Sequence, residues 1–517
     1  MQDKGIRDTI AAYPTLTNLC QSVISGEYGP QSEKFSRAFV WKASLLDIQT
    51  IPQNDMPLLD LTNIRLARSE YNNLLKLAIP WHLLDLDCDY YIKDSDKLLT
   101  CDLTLQRIPV GDDPLSLTKN NEISDKELLE LIITDVERLF PDYPHLFINN
   151  QEAKRNIIEI LFRFGKVAPK GYLQGMHEIC GVIYLVLGKR DTYETNVEVN
   201  ANVNANGENK IQDKLNEQIK ELISAEFINH DTFAILSKLT IPLLPLYYSS
   251  TGLISQSILF GLKLQHIDPI LANSLSKLNL LGGNSQVWLA RWLRMLISRE
   301  IGFKQAVRVW DILFAFANIS NDNIDEPGVS HILLHVVIVL LLRIRVQLLI
   351  AAGENPTKIS ASASSSATSS SSSSSFSSSS APKPVTSSLS SKIKSPKSKH
   401  EFDDTDVLYL LLHYPDIADN DLVQCLYDAV KLAQISNPED LGKLGRSIIE
   451  KSSTFGGVVS STLKAPNKSG GFINSFRSWT NGTTVANTKQ KSTKVEIDSS
   501  RQRLEQRLQK SVRQLTK

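Results

Sequence analysis

Two side chains in this sequence have types suited to phosphate chemistry, and both fall at predicted helix ends. Arg138 closes Ile132-x-x-Asp135-x-x-Arg138-x-x-Pro141, and Gln174 sits in Tyr172-x-Gln174-Gly175-Met176, 36 residues later. A guanidinium is a planar fork of donors that stays charged and fits phosphate oxygens, which lysine cannot copy. A glutamine amide donates and accepts at once, so it can hold a water and an oxygen together. No nucleophile or metal-ligand cluster elsewhere competes with this pair. The five cysteines, Cys20, Cys88, Cys101, Cys180 and Cys425, lack CxxC or zinc spacing and favour a reducing compartment.

The elements that must position the pair follow from local physics. Ser124-Asp125-Lys126-Glu127 is a capping-box pattern. Leu128, Leu129, Leu131, Ile132, Val136 and Leu139 then recur at helical spacing. Pro141 cannot continue the helix, so Arg138 lies in its last turn or just past it. The ordinary alternative is that Arg138 caps the final carbonyls or pairs with Asp135. Gln151 to Phe164 reads as a second helix. Gly171 and Gly175 bracket Tyr172, Leu173 and Gln174, a tight approach into an apolar helix carrying Ile179, Val182, Ile183, Leu185, Val186 and Leu187. For Gln174 the ordinary alternative is a cap or a satisfied core amide, and for Tyr172 and Met176 it is packing.

Ile132-Asp135-Arg138 and Tyr172-Gln174-Gly175-Met176 together resemble the two signature motifs of the TBC domain, whose members are GTPase-activating proteins for Rab GTPases. The likeness extends along the chain. Arg37-x-x-x-Trp41 with Leu45-Leu46 is similar to the family's opening motif, and Gln286 to Phe314, which contains Trp310-Asp311, to its late helical pair. Leu408 to Pro415 resembles the closing segment of one branch. That branch writes the second motif QGMHE, as here with His177 and Glu178, where many members have Asn after Met; its members are associated with Golgi and endosomal Rabs. Leu139 departs from the pattern, which often has Thr after the arginine.

The resemblance implies a scheme in which Arg138 and Gln174 are supplied in trans to a GTP-bound Rab, with Gln174 taking the place of the Rab's own glutamine. Asp135 would hold Arg138, and Tyr172, Gly175 and Met176 would shape the glutamine loop. Arg37, Trp41, Trp310 and Asp311 would be structural. The chain would need no cofactor of its own, acting on the partner's GTP and Mg²⁺. It would regulate vesicle traffic from the cytoplasm, recruited peripherally to Golgi or endosomal membranes. A second reading is a catalytically weak Rab-binding adaptor, which the presence of both fingers opposes. A hydrolase is disfavoured, because His177, Glu178 and Cys180 do not converge on one point and no Gly-rich phosphate loop occurs.

Helical periodicity recurs and period-2 alternation is almost absent, so the fold reads as all-α. The resemblance implies the multi-helix, two-lobed TBC architecture over residues 34–436, after an N-terminal extension, 1–33. Pro80 should break or kink any helix over Leu74–Leu86, and Asp87 to Asn121 reads as a surface loop. Polar composition predicts disordered inserts at about 189–210 and 357–402. Helices are expected at Ile211–Ile223, Phe227–Leu239, Leu253–Leu264 and Pro269–Leu281, with core pattern again at Val407–Leu411 and Leu422–Ile435. Residues 437–517 read as a mostly disordered basic tail. Within it Lys489 to Lys517 carries nine basic and three acidic side chains. A short helix over 497–515 there has three readings: lipid contact, a coiled-coil arm, or a solvated helix of no consequence.

Lys+Arg and Asp+Glu both number 56, so no global field argues for nucleic acid. The start lacks signal-peptide character. The longest apolar run, Ile332 to Leu342, is too short to span a bilayer and reads as a core helix.

Overall fold

The structure is a computed structural model that describes residues 2–32, 34–51, 57–84, 123–141, 150–188, 207–319, 328–354 and 404–455. Residues Met1–Gly457 form one compact unit, and a second, Val458–Lys517, lies outside the described residues. So do the expected loop at Asp87 to Asn121, the serine-rich insert and the helix over 497–515.

Among the described residues the architecture is all-α apart from a two-residue hairpin, β1 (Thr50–Ile51) with β2 (Leu58–Leu59). One group of helices builds the site. In α5 (Asp125–Val136) the capping box forms as expected: the Ser124 N–H donates to Glu127 Oε2 at 2.9 Å, and the Glu127 N–H to Ser124 Oγ at 3.3 Å. Leu128, Leu129, Ile132 and Val136 are buried against α6 (Gln151–Val167), which Asn150 caps. The helix α7 (Met176–Gly188) is apolar beyond its first turn and largely enclosed, packing on α6 and on α9 (Ile228–Thr240). Against α9 also lies α4 (Thr62–Leu74), a helix the sequence reading did not single out; it ends before Pro80, and Trp81–Leu83 make only a 3₁₀ turn.

A second group surrounds α15 (Gly328–Arg343), whose residues Ile332 to Leu342 are all buried, as a core helix requires. It contacts α14 (Phe303–Ala317) and α11 (Ser250–Ile267), and α12 (Pro269–Lys277) and α13 (Gln286–Arg294) pack on α11. No single helix among the described residues is long and apolar enough to cross a membrane; α15 passes only jointly with α16 (Arg345–Ala351), across a 69° bend. The groups meet where α3 (Arg37–Leu45) lies on α14.

Three boundaries differ from the sequence reading. Residues 1–33 are not a separate extension: α1 (Gln2–Ala12) and α2 (Leu16–Ser25) bury Ile6, Ile10, Leu19, Cys20 and Val23 in the common core, α2 lying on α14. The first insert does not run to 210, because α8 (Gly207–Leu222) already includes Gly207 to Lys210. Its polar first turn hid it, since the apolar Leu215, Ile219 and Leu222 that anchor the helix come later. The body also continues past 436. After α17 (Asp404–Leu412) and α18 (Asp419–Ala433), α19 (Pro438–Phe455) packs on α11 and α15 and buries Leu441 and Ile448. Two apolar residues per helix are enough to dock it but too few to stand out in a Ser/Gly/Lys background.

Candidate functional site

At the end of α5 the last turns tighten. The Arg138 N–H donates to Asp135 O and the Leu139 N–H to Val136 O, both across three residues. Phe140 then takes the left-handed region, φ 42°, which redirects the chain ahead of Pro141. Leu139 is fully buried, so its side chain anchors the turn while Arg138 faces outward. The Arg138 side chain is 58% exposed. Its Nη2 donates to Asp135 Oδ1 at 2.6 Å, and its Nε to Thr134 O at 3.1 Å. The ordinary pairing with Asp135 is thus present, and the outward projection with it.

Asp135 is enclosed, with its side chain 1% exposed. Its Oδ2 accepts the Tyr172 hydroxyl at 2.8 Å. Burial raises the Asp135 carboxyl above its ordinary range, an effect that the Tyr172 hydrogen bond and the Arg138 charge oppose. The two sequence motifs therefore meet at one carboxylate.

Tyr172 is buried and two residues from Gln174, which lies in the exposed turn before α7. Gly171 (φ 69°) and Gly175 (φ 102°) make that turn, in conformations that L side chains adopt only under strain. At Gly175 a Cβ would also stand 3.5 Å from Met295 Cε, so the loop rests on the end of α13. Met176 is fully buried, and its Sδ accepts the Leu173 N–H at 3.3 Å. The Gln174 amide makes no hydrogen bond among the described residues and faces solvent.

Behind this turn runs a buried polar chain. His177 Nδ1 is 3.1 Å from the Tyr172 hydroxyl, and burial pushes the imidazole down to about 3, so it is neutral. Glu178 pairs with Arg299 and accepts the Ser298 hydroxyl at 3.4 Å; burial raises its carboxyl, against the Arg299 charge. Glu300 lies 2.8 Å from Arg291 Nε, yet that contact is misaligned for a hydrogen bond and leaves both carboxylate oxygens without one. Burial pushes Glu300 up to about 7.

Arg299, Glu300 and Met295 belong to the α13–α14 connection, whose Leu296 (φ 46°) and Ile297 (φ 59°) are both left-handed. None of the three was singled out from sequence. The available signal was charge, Arg299-Glu300 shortly after the apolar run Met295-Leu296-Ile297.

Arg37, Trp41, Trp310 and Asp311 form a different cluster. Arg37 Nε and Nη2 grip Asp311 at 2.8 and 3.0 Å, and Trp41 Nε1 donates to Asp311 Oδ1 at 2.8 Å. Trp310 Nε1 donates to Leu296 O at 2.9 Å, and its ring packs on Trp41 and Phe314. This clasp joins α3 to α14. Among the described residues no three His, Cys, Asp or Glu side chains are grouped to hold a metal.

The Tyr172–Asp135 hydrogen bond thus ties the exposed Arg138 to the turn that carries Gln174. Human TBC1 domain family member 5 (Homo sapiens) is 22% identical over 325 residues, 58% of this chain and 36% of that protein. Its mouse counterpart (Mus musculus) is 26% identical over 232 residues, 40% of this chain and 27% of that protein. The match thus spans about a third of each curated relative's length or less. A solved structure titled as the Ypt/Rab-GAP domain of Gyp1p covers 82% of this chain and 92% of its own, at 15% identity and a TM-score of 0.44, a likeness too distant to carry an argument. Residues 110–349 match the family model of the Rab-GTPase-TBC domain. Over residues 110–349 the chain is therefore similar to the Rab-GTPase-TBC domain.

Proposed function

We propose that this protein accelerates GTP hydrolysis by a GTP-bound Rab-family GTPase, supplying Arg138 and Gln174 in trans. The observation that carries the reading is the shared Asp135. It accepts from Arg138 at 2.6 Å and from Tyr172 at 2.8 Å, so the arginine and the Gln174 turn are tied to one buried anchor.

The chemistry requires charge neutralised on the transferring phosphoryl oxygens and an attacking water held in line. An arginine has five N–H donors. Asp135 and Thr134 occupy one each, on Nη2 and Nε, leaving the outward edge of the fork for phosphate oxygens. The tether limits the rotamers Arg138 must give up on engagement, so less ordering remains for the encounter. An arginine supplied in trans contributes on the order of 10³–10⁵ in rate, about 4–7 kcal/mol of barrier. Gln174, exposed and uncommitted, would orient the water through its carbonyl and touch a phosphate oxygen through its amide.

GTP and Mg²⁺ belong to the partner in this scheme. Action at Golgi or endosomal membranes, and contact of the basic tail with anionic lipid, rest on the QGMHE resemblance and the tail's composition.

The test is single-turnover GTP hydrolysis by a panel of purified Rabs with wild type, Arg138→Lys and Gln174→Ala. Stimulation of one or two Rabs that collapses in both variants supports the scheme and names the substrate. Binding without stimulation of any Rab would replace it with the adaptor reading.

A further inference from the structure

Hydrogen-bond accounting around Tyr172 leaves one proton position to be assigned. The hydroxyl is buried and has two polar neighbours, Asp135 Oδ2 at 2.8 Å and His177 Nδ1 at 3.1 Å. An ionised carboxylate accepts only, so the single Tyr172 proton must point at Asp135 if that bond is to exist. The tyrosine oxygen can then only accept from His177. A neutral imidazole carries one N–H, on either nitrogen. His177 Nε2 lies 3.8 Å from Glu178 Oε1, beyond hydrogen-bond reach. With the proton on Nε2 that nitrogen would find no side-chain acceptor within hydrogen-bond reach, and Nδ1 would compete with Asp135 for the tyrosine proton. Both buried contacts are satisfied by one arrangement, His177 Nδ1–H to Tyr172 O–H to Asp135 Oδ2, with Arg138 Nη2–H on Asp135 Oδ1.

We propose that His177 is a positioning residue: donating from Nδ1, it holds Tyr172 as a donor to Asp135 and so fixes the anchor on which Arg138 turns. This inference rests on the reading of Arg138 as the catalytic arginine. It specifies what position 177 must supply, a donor one bond beyond Cγ. The amide nitrogen of Asn occupies the same place in its side chain, so His177→Asn keeps the donor and His177→Leu removes it at similar volume. Losing one buried donor of this kind costs about tenfold in rate.

The experiment has two arms on the full chain. In the first, ring nitrogen NMR of histidine-labelled protein, with the His177 signals identified by their loss in His177→Asn, reads the tautomer without any GTPase present. The Nδ1–H form is expected, and an Nε2–H form overturns the proposal. In the second, stimulated hydrolysis and Rab binding are compared for wild type, His177→Asn and His177→Leu. The expected result is kcat near wild type for His177→Asn and about tenfold lower for His177→Leu, with binding unchanged in both. Equal kcat in a folded His177→Leu overturns the proposal, and so does failure of His177→Asn to retain activity. If wild type stimulates no Rab, the proposed function fails, while the ring nitrogens still decide where the proton lies.

Discussion

Two buried aspartates in this molecule use similar partners for opposite ends. Asp231 on α9 is gripped by Arg68 from α4 through Nε at 2.7 Å and Nη2 at 2.8 Å, and by Lys42 from α3 at 2.7 Å. The Arg68 side chain is 4% exposed and lies over the Phe227 ring, so the pair is closed. Burial alone would raise the Asp231 carboxyl, but Lys42 and Arg68 together hold it below its ordinary value. Asp135 holds its arginine through one oxygen only, gives the other to a neutral tyrosine, and is raised. A carboxylate spent on two cations binds helices together. A carboxylate shared with a hydroxyl leaves its arginine 58% exposed and steered rather than consumed.

The contrast breaks most visibly at Arg138. Arg138→Ala should lower the stimulated hydrolysis rate by about 10³–10⁵-fold while costing only about 1–3 kcal/mol of stability, for the donor that Asp135 loses. A large loss of stability with unchanged rate would make it another closed pair. Asp231→Ala should do the reverse, destabilising the body by about 3–5 kcal/mol because Lys42 and Arg68 are left buried without their counterion; denaturant unfolding measures it. Asp135→Asn lies between the two. It keeps the shape but releases the charge that restrains Arg138, and a misplaced arginine costs about 10²-fold in kcat with Rab affinity retained.

A smaller effect sharpens the comparison through pH. The His177 imidazole is pushed down to about 3, against an ordinary value of 6.5, so below about pH 6.5 the unfolded chain takes up a proton that the folded site refuses. Its contribution to stability is complete above about pH 6.5 and is lost progressively as the pH falls toward 3. His177→Asn does not titrate there. Between pH 7 and pH 5 wild type should therefore lose about 2 kcal/mol relative to that variant. Paired denaturant melts at the two pH values check the sign, and a gap that stays constant would mean that the folded imidazole accepts the proton.

Much of the site is legible in the sequence because its parts are set by short-range physics. Ser124 and Glu127 announce the start of α5, and Pro141 announces its end, which puts Arg138 just beyond the helix. Gly171 and Gly175 mark the turn that exposes Gln174. The inclusion of α1, α2 and α19 in the body is not legible there, because each docks through a few apolar residues onto helices distant along the chain, α8, α14 and α15 among them. Arg299 escapes notice for the same reason, since its importance comes from Glu178, 121 residues earlier.

The sequence by itself determined the start and end of α5, the glycine turn ahead of α7 and the two side chains that project there, since capping, proline and glycine act within a few residues. Only the tertiary structure decided that Tyr172 would reach Asp135 across 37 residues, that Trp41 and Arg37 would close on Asp311 across 270 and 274, and that Arg138 would keep an open face. A hydrogen bond between helices depends on how their faces pack, and no periodicity along the chain encodes which carboxylate a given hydroxyl will meet.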